Sequence, residues 1–232
     1  MTRFVFIALW ATSSAFAAEL PTLRGWSRTI LLEPRDAPGA GDDARVWGQR
    51  RQEALEGFQQ VAGELPGQEF RCALEMAVLD ETDCGTYVRR LIEYQSSPGG
   101  RVPAYLCVPK HATADSPLSA VLCLHPTENQ IGHKVVVGLG GKPHRQYASE
   151  LAERGFVTLS PSYPLLAQYQ PDFRQLGFES GTMKAIWDNI RGLDLLESLP
   201  EVAEDHGFGV IGHSLGGHNA IYTAVFEPRL KV

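Results

Sequence analysis

The chain has 232 residues, 44% of them apolar and 21% charged, with a formal net charge of −6 at pH 7. That length and apolar content support one main domain with a sizeable core. The acidic balance, with no long basic block, argues against nucleic acid and a polybasic membrane contact and leaves small neutral or anionic substrates open.

Residues 1–17 have the pattern of a secretory signal: Arg3 supplies a positive start, residues 4–11 an apolar run, and Ala15-Phe16-Ala17 a small-x-small cleavage site. The run is too short to span a bilayer, and no second apolar segment approaches spanning length. A secreted or periplasmic protein beginning near Ala18, without membrane contact once the signal is removed, is the expectation. Residues 18–41, with Pro34, Pro38, Gly39 and Gly41, predict an irregular arm. A helix is predicted over 42–63, capped by Asp42 or Asp43, with Phe58, Val61 and Ala62 among its apolar contacts. Residues 18–80 would thus form an arm and helix ahead of a main domain at 81–232.

In an oxidising compartment four cysteines need a reading. Cys107 and Cys123 lie in apolar runs and read as small buried hydrophobes, whereas Cys72 and Cys84 could pair, which spacing alone does not decide. None belongs to a C-x-x-C or a Cys/His cluster, so no metal is expected, and no cofactor.

Two strand-like runs, 87–94 and 102–108, flank Ser96-Ser97-Pro98-Gly99-Gly100 and predict a hairpin. The rhythm then changes to strand 120–124, helix 144–154, strand 156–160, helix 181–199 and strand 208–211. The strands are short, continuous apolar runs of the kind buried on both faces, so an α/β plan with parallel crossovers follows. The loop Gly138-Leu139-Gly140-Gly141-Lys142 resembles a phosphate cradle, but it lacks the first glycine at the right distance and has Pro143 where a Ser or Thr would ligate magnesium. Nucleotide binding is rejected.

Gly212-His213-Ser214-Leu215-Gly216 then stands between the last strand and an amphipathic run, Ala220, Ile221, Ala224 and Val225, that stops at Glu227-Pro228. This is the outline of a nucleophile elbow. A serine hydroxyl attacks a carbonyl only when a base takes its proton and preorganised donors receive the oxyanion. A tight strand-to-helix turn lifts the hydroxyl clear of the sheet and demands small residues two before and two after it, which Gly212 and Gly216 supply. Gly217 would let the helix lie close to the sheet. The amide of Leu215, at the helix N-terminus, is the natural first oxyanion donor. A second should come from the loop after an earlier strand, His125-Pro126-Thr127, where Pro126 has no amide hydrogen and Thr127, less readily Glu128, must donate. His125 is expected to shape this loop rather than carry protons.

At this point the chain resembles an α/β-hydrolase of the dienelactone hydrolase and acetyl xylan esterase kind. The resemblance rests on Arg101-Val102-Pro103-Ala104-Tyr105-Leu106, Leu124-His125-Pro126-Thr127, Gly155-Phe156-Val157 leading into Ser160-Pro161-Ser162-Tyr163, and Gly212-His213-Ser214-Leu215-Gly216-Gly217-His218, and covers residues 80–232. It implies a mostly parallel central sheet with an antiparallel N-terminal hairpin, Ser214 as nucleophile, and the amides of Leu215 and Thr127 as oxyanion donors. Dienelactone hydrolases carry cysteine at the nucleophile position, so the serine moves the reading towards the esterases.

The fold's triad runs Ser, then Asp or Glu, then His. After Ser214 only Glu227 and His218 remain, and neither fits: His218 lies one helical turn on, and Glu227 at the far end of the same helix. Upstream histidines (His125, His133, His144, His206) would need an order foreign to this fold. The expectation is therefore a fragment, inactive as written, whose acid and base lie in about 60 to 100 further residues, with Leu230-Lys231-Val232 beginning the next parallel strand. The function read from the sequence is that of an exported serine hydrolase cleaving small-molecule or carbohydrate esters, such as acetylated polysaccharide. A peptidase of the same fold and a non-catalytic binding module are the alternatives.

Overall fold

The computed structural model describes residues 40–203 and 206–232, with side chains from Trp47 onward. The signal-like segment and residues 18–39 of the arm lie outside the described residues. The chain forms two compact units, 1–53 and 54–232. What is described of the first is the start of helix α1 (Ala40–Ala62), where Gln49 Nε2 donates to Glu53 Oε1 at 3.0 Å. Because α1 begins at Ala40, Asp42 and Asp43 fall inside its first turn instead of capping it.

In the second unit, the remainder of α1 packs Phe58 against Tyr222 and Phe226, with ring centroids 4.9 and 5.7 Å apart. Ala62 is buried, but Val61, expected to pack, is 84% exposed. The unit is built on a mixed six-stranded sheet in the order β1-β2-β3-β5-β4-β6. The expected hairpin is β2 (Tyr87–Ser97) and β3 (Gly100–Pro109), closed at Ser97 and Gly100 through Gly99, whose φ of 74° suits a residue without a Cβ. The sequence reading has no counterpart for β1 (Ala77–Asp83), an exposed edge strand that pairs antiparallel with β2. On it Glu81 stands opposite Arg90, and their side chains meet at 2.7 Å.

β5 (Val157–Pro161) joins the hairpin antiparallel to β3, and from there the sheet is parallel: β5 with β4 (Ala120–Leu124), and β4 with β6 (Phe208–Gly212). Beyond β6, Leu230 bridges Phe208 in parallel and Val210 N–H donates to Val232 O at 2.7 Å, so the last residues extend the parallel side as expected.

Alternation along the strands makes two cores. One face carries Leu106, Leu122, Leu124 and Leu159 against Leu193 and Leu196 of α3 (Gly181–Glu197). The other carries Tyr105, Cys107 and Cys123 against a 3-10 turn (Gly132–Val137) and α2 (Tyr147–Glu153). Burial pushes the Cys107 thiol up to about 12 and that of Cys123 well above its ordinary value, which makes both inert. Cys72 and Cys84 are also free thiols, so the pair left open by the sequence does not form.

Helix α3 starts cleanly because the Ser180 hydroxyl accepts from Met183 N–H at 3.0 Å. It is buried on nearly every side and carries charge inside. Lys184 and Asp188, one turn apart and 0% and 1% exposed, form an ion pair; Lys184 Nζ also donates to Ser96 Oγ at 3.2 Å and Tyr169 Oη at 3.1 Å, and Tyr169 donates to Asp188 Oδ2 at 3.0 Å. Every polar atom of the pair has a partner, which is the condition for burying charge.

Candidate active site

The site follows from how abruptly β6 becomes α4 (Leu215–Phe226). Only His213 and Ser214 separate strand from helix, and Ser214 makes the reversal with φ 55° and ψ −119°, a backbone region costly for an L-residue. The turn presses the first turn of the helix against the sheet. A Cβ on Gly212 would lie 2.7 Å from Gly217 N, and one on Gly216 would lie 2.7 Å from the carbonyl carbon of Leu124 and 2.9 Å from His125 O. These are backbone atoms with no room to yield, so both glycines are required. Gly217 is different, since a Cβ there would reach only ordinary contact, 3.4 Å from Gly212 O. The close packing expected of it belongs to Gly216.

Ser214 is exposed, and no hydrogen bond engages its hydroxyl among the described residues. Within the turn, Gly216 N–H returns to His213 O at 3.0 Å and His218 N–H to Ser214 O at 3.1 Å. Leu215 occupies the first helical position, where the amide has no intrahelical acceptor and the helix dipole favours negative charge. Leu124 and Gly212 are partners in the β4–β6 register, so the loop after β4 leaves the sheet beside the elbow. Outside the carboxyl ends of parallel strands is where such sheets bind ligands.

That loop is held by His125, 2% exposed. Tyr163 N–H donates to its Nε2 at 2.9 Å, so the ring proton is on Nδ1, which faces Pro126 O at 2.8 Å. Burial lowers its pKa to about 4, against a smaller opposing push from the Pro126 carbonyl. A neutral imidazole with both nitrogens committed fixes the loop and moves no proton. Thr127, exposed, is the first residue after it with an amide hydrogen, because Pro126 has none.

His133, His206 and His218 are turned to other neighbours. His133 is buried against the Tyr105 ring, 4.9 Å between centroids, and neither ring nitrogen has a protein partner. His206 Nδ1 meets Ser119 Oγ at 3.1 Å, at the opposite end of β4. His218 lies 6.3 Å from the Tyr222 ring, along the helix away from Ser214. Glu227 is committed to Arg229, Oε2 to Nη2 at 2.7 Å; burial raises its carboxyl but these hydrogen bonds outweigh it and hold the pKa below normal.

A concavity of ≈ 570 Å³ near the C-terminal ends of α3 and α4 does not include Ser214. Its charges are spent on one another: Arg229 pairs with Asp194, Glu197 and Glu227, and Arg71 with Asp194.

No family model matches the sequence, and no curated protein does. Solved structures do. The BF1801 protein of Bacteroides fragilis NCTC 9343, a candidate acetyl xylan esterase, superposes with a TM-score of 0.64 over 90% of this chain at 14% identity. The chain has the α/β-hydrolase fold. The glucuronoyl esterase of Solibacter usitatus (TM-score 0.58, 19% identity, 81% of this chain) and acetyl xylan esterase 1 of Thermoanaerobacterium sp. JW/SL YS485 (0.53, 18%, 80%) share it. At such identities the likeness is one of architecture. The chain spans 59%, 57% and 56% of the three proteins, less than two thirds of their length. Within this α/β-hydrolase frame the ends of β4 and β6 are neighbours, Leu124 being paired with Gly212, so the β4 loop leaves the sheet beside the elbow. Two contacts went unread: Tyr163, though part of a motif, acts through its backbone amide on His125, and Tyr147 acts through a contact with Leu124 O.

Proposed function

We propose that this chain carries the nucleophile and oxyanion site of an exported serine esterase, with acetyl esters of polysaccharides as the favoured substrate class. The observation that carries the reading is the Ser214 backbone, φ 55° and ψ −119°, held by two glycines that admit no side chain. A strained turn of this kind persists where the surroundings over-determine it, and it leaves the hydroxyl free to react. Support for ester chemistry comes from the esterases that share the fold, and support for export from the signal-like first 17 residues.

In this reading Ser214 Oγ attacks the acyl carbon and its proton passes to a base. The carbonyl oxygen, now an anion, is received by the amides of Leu215 and Thr127, each such donor being worth about 3 kcal/mol in the transition state. Collapse expels the alcohol, which takes up the proton. Water then attacks the acyl-enzyme, releasing the acid and restoring the hydroxyl. The reading requires a histidine base, a part that His125, His133, His206 and His218, each turned to other contacts, do not fill.

The test is hydrolysis of 4-nitrophenyl acetate and of acetylated xylan by the full-length gene product, with labelling by a fluorophosphonate. Ser214→Ala should abolish turnover and label, a loss on the order of 10³-fold or more. Hydrolysis that survives the substitution, or a wild-type protein that neither hydrolyses nor labels, overturns it; the latter result would indicate a binding module.

A further inference from the structure

We propose that Tyr147 is a positioning residue for the oxyanion site: its phenol holds the carbonyl at the end of β4 on which the elbow helix rests, and so fixes the two loops whose amides face the substrate. The inference rests on the esterase reading above.

Tyr147 opens α2, with its ring against the Cys107 and Cys123 core. Its hydroxyl donates to Leu124 O, the last carbonyl of β4. That hydroxyl thus holds one of the two strand ends that Leu124 and Gly212 keep in register. The Leu124 peptide it grips is also the one on which Gly216 rests, 2.7 Å from where a Cβ would be. Tyr147, Leu124 and Gly216 therefore share a single junction, and Leu215 and Thr127 hang from its two sides. A change in the distance across that junction moves one donor relative to the other, and hydrogen-bond donors aimed at a developing anion lose their effect over fractions of an ångström. Burial drives the phenol well above its ordinary pKa, so it remains a neutral O–H and acts as a clamp, not as an acid or base.

The full-length protein tests this with Tyr147→Phe, which keeps the ring and removes the clamp. Expected are a 10- to 30-fold fall in kcat (roughly the loss of half an oxyanion donor), KM within about twofold, and a Ki for butylboronic acid, which mimics the tetrahedral anion, raised by the same factor as kcat/KM falls. Tyr94→Phe is the control: its hydroxyl also donates to a buried carbonyl, Asp188 O at 2.7 Å, far along the chain from the elbow, and its kcat should hold. In the wild-type protein the Tyr147 hydroxyl proton should exchange slowly with solvent, which needs no variant to fold. An unchanged kcat in Tyr147→Phe, an unchanged Ki, an equal loss in Tyr94→Phe, or a fast-exchanging Tyr147 hydroxyl proton overturns the clamp while Ser214 keeps its role. Hydrolysis absent from wild type or surviving Ser214→Ala overturns the esterase reading, and the clamp falls with it.

Discussion

Replacing Gly216 with alanine places a methyl carbon 2.7 Å from the carbonyl carbon of Leu124 and 2.9 Å from His125 O, against the 3.4–4 Å of ordinary contact. Leu124 O is nearer still, so the shortfall is at least about 0.7 Å and wholly against main chain, and Leu124 is held by its β4–β6 pairing, so no side chain can swing aside. Overpacking of this kind costs typically about 1–3 kcal/mol, and rigid backbone on both sides puts this case at the upper end, about 3. Helix propensity returns about 0.5–1 kcal/mol of that, because alanine is the better helix former. A net loss of roughly 2–2.5 kcal/mol should lower Tm by about 4–10 °C in a chain of this size. Urea and thermal unfolding measure it, with the urea m-value constant if the native state keeps its compactness. Gly57→Ala is the internal control: it makes the same chemical change in α1, where a Cβ meets nothing within 4 Å, and should gain about 0.5–1 kcal/mol. A Gly216→Ala protein as stable as wild type would refute the close approach, and with it the reason for a glycine at this position.

Ser214→Gly should raise stability by about 1–2 kcal/mol in urea titrations, because glycine adopts φ 55° without strain; a loss would mean the turn is not strained. Burial holds His133 near 3 and His125 near 4 in the folded protein, against an ordinary 6.5. The unfolded chain then binds more protons than the folded one, so stability is lost as pH falls below 6.5 and the loss levels off near pH 3. His133→Phe should flatten part of that acid limb and gain about 1 kcal/mol at pH 7, since it removes two unpaired buried nitrogens; an unaltered pH slope counts against it. Lys184→Met leaves Asp188 buried without its cation and should cost about 3–5 kcal/mol, while adding Asp188→Leu should recover part of the loss in the same unfolding assay. Equal stability of the single and double variants would show that the pair is not coupled.

How far the sequence is legible varies with the range of the interaction. The elbow is written locally: Gly212 and Gly216 approach backbone at a turn of two residues, and only glycine meets that demand. The parallel strands β4, β5 and β6 are legible because burial on both faces forces continuous apolar runs. Edge strand β1 is not, because pairing on one side needs only its backbone, which leaves the side chains free to be acidic and exposed. Val61 reads as core in a helical pattern yet faces solvent, since periodicity fixes a face without saying what lies opposite. The free Cys72 and Cys84 show the same limit for thiols.

By itself, then, the sequence determined the α/β order of elements, the elbow at Ser214 and the loop at His125-Pro126-Thr127, because each depends on residues adjacent in the chain or on a simple period. Only the tertiary structure decided which backbone groups His125 holds, which neighbours His133, His206 and His218 meet, and that Tyr147 grips the end of β4. Those side-chain-to-backbone contacts run across 23 to 38 positions of sequence, as from Tyr147 to Leu124 and from His125 to Tyr163. A backbone carbonyl or amide carries no residue identity, so nothing in the sequence marks the partner that a phenol or an imidazole will find once the sheet has formed.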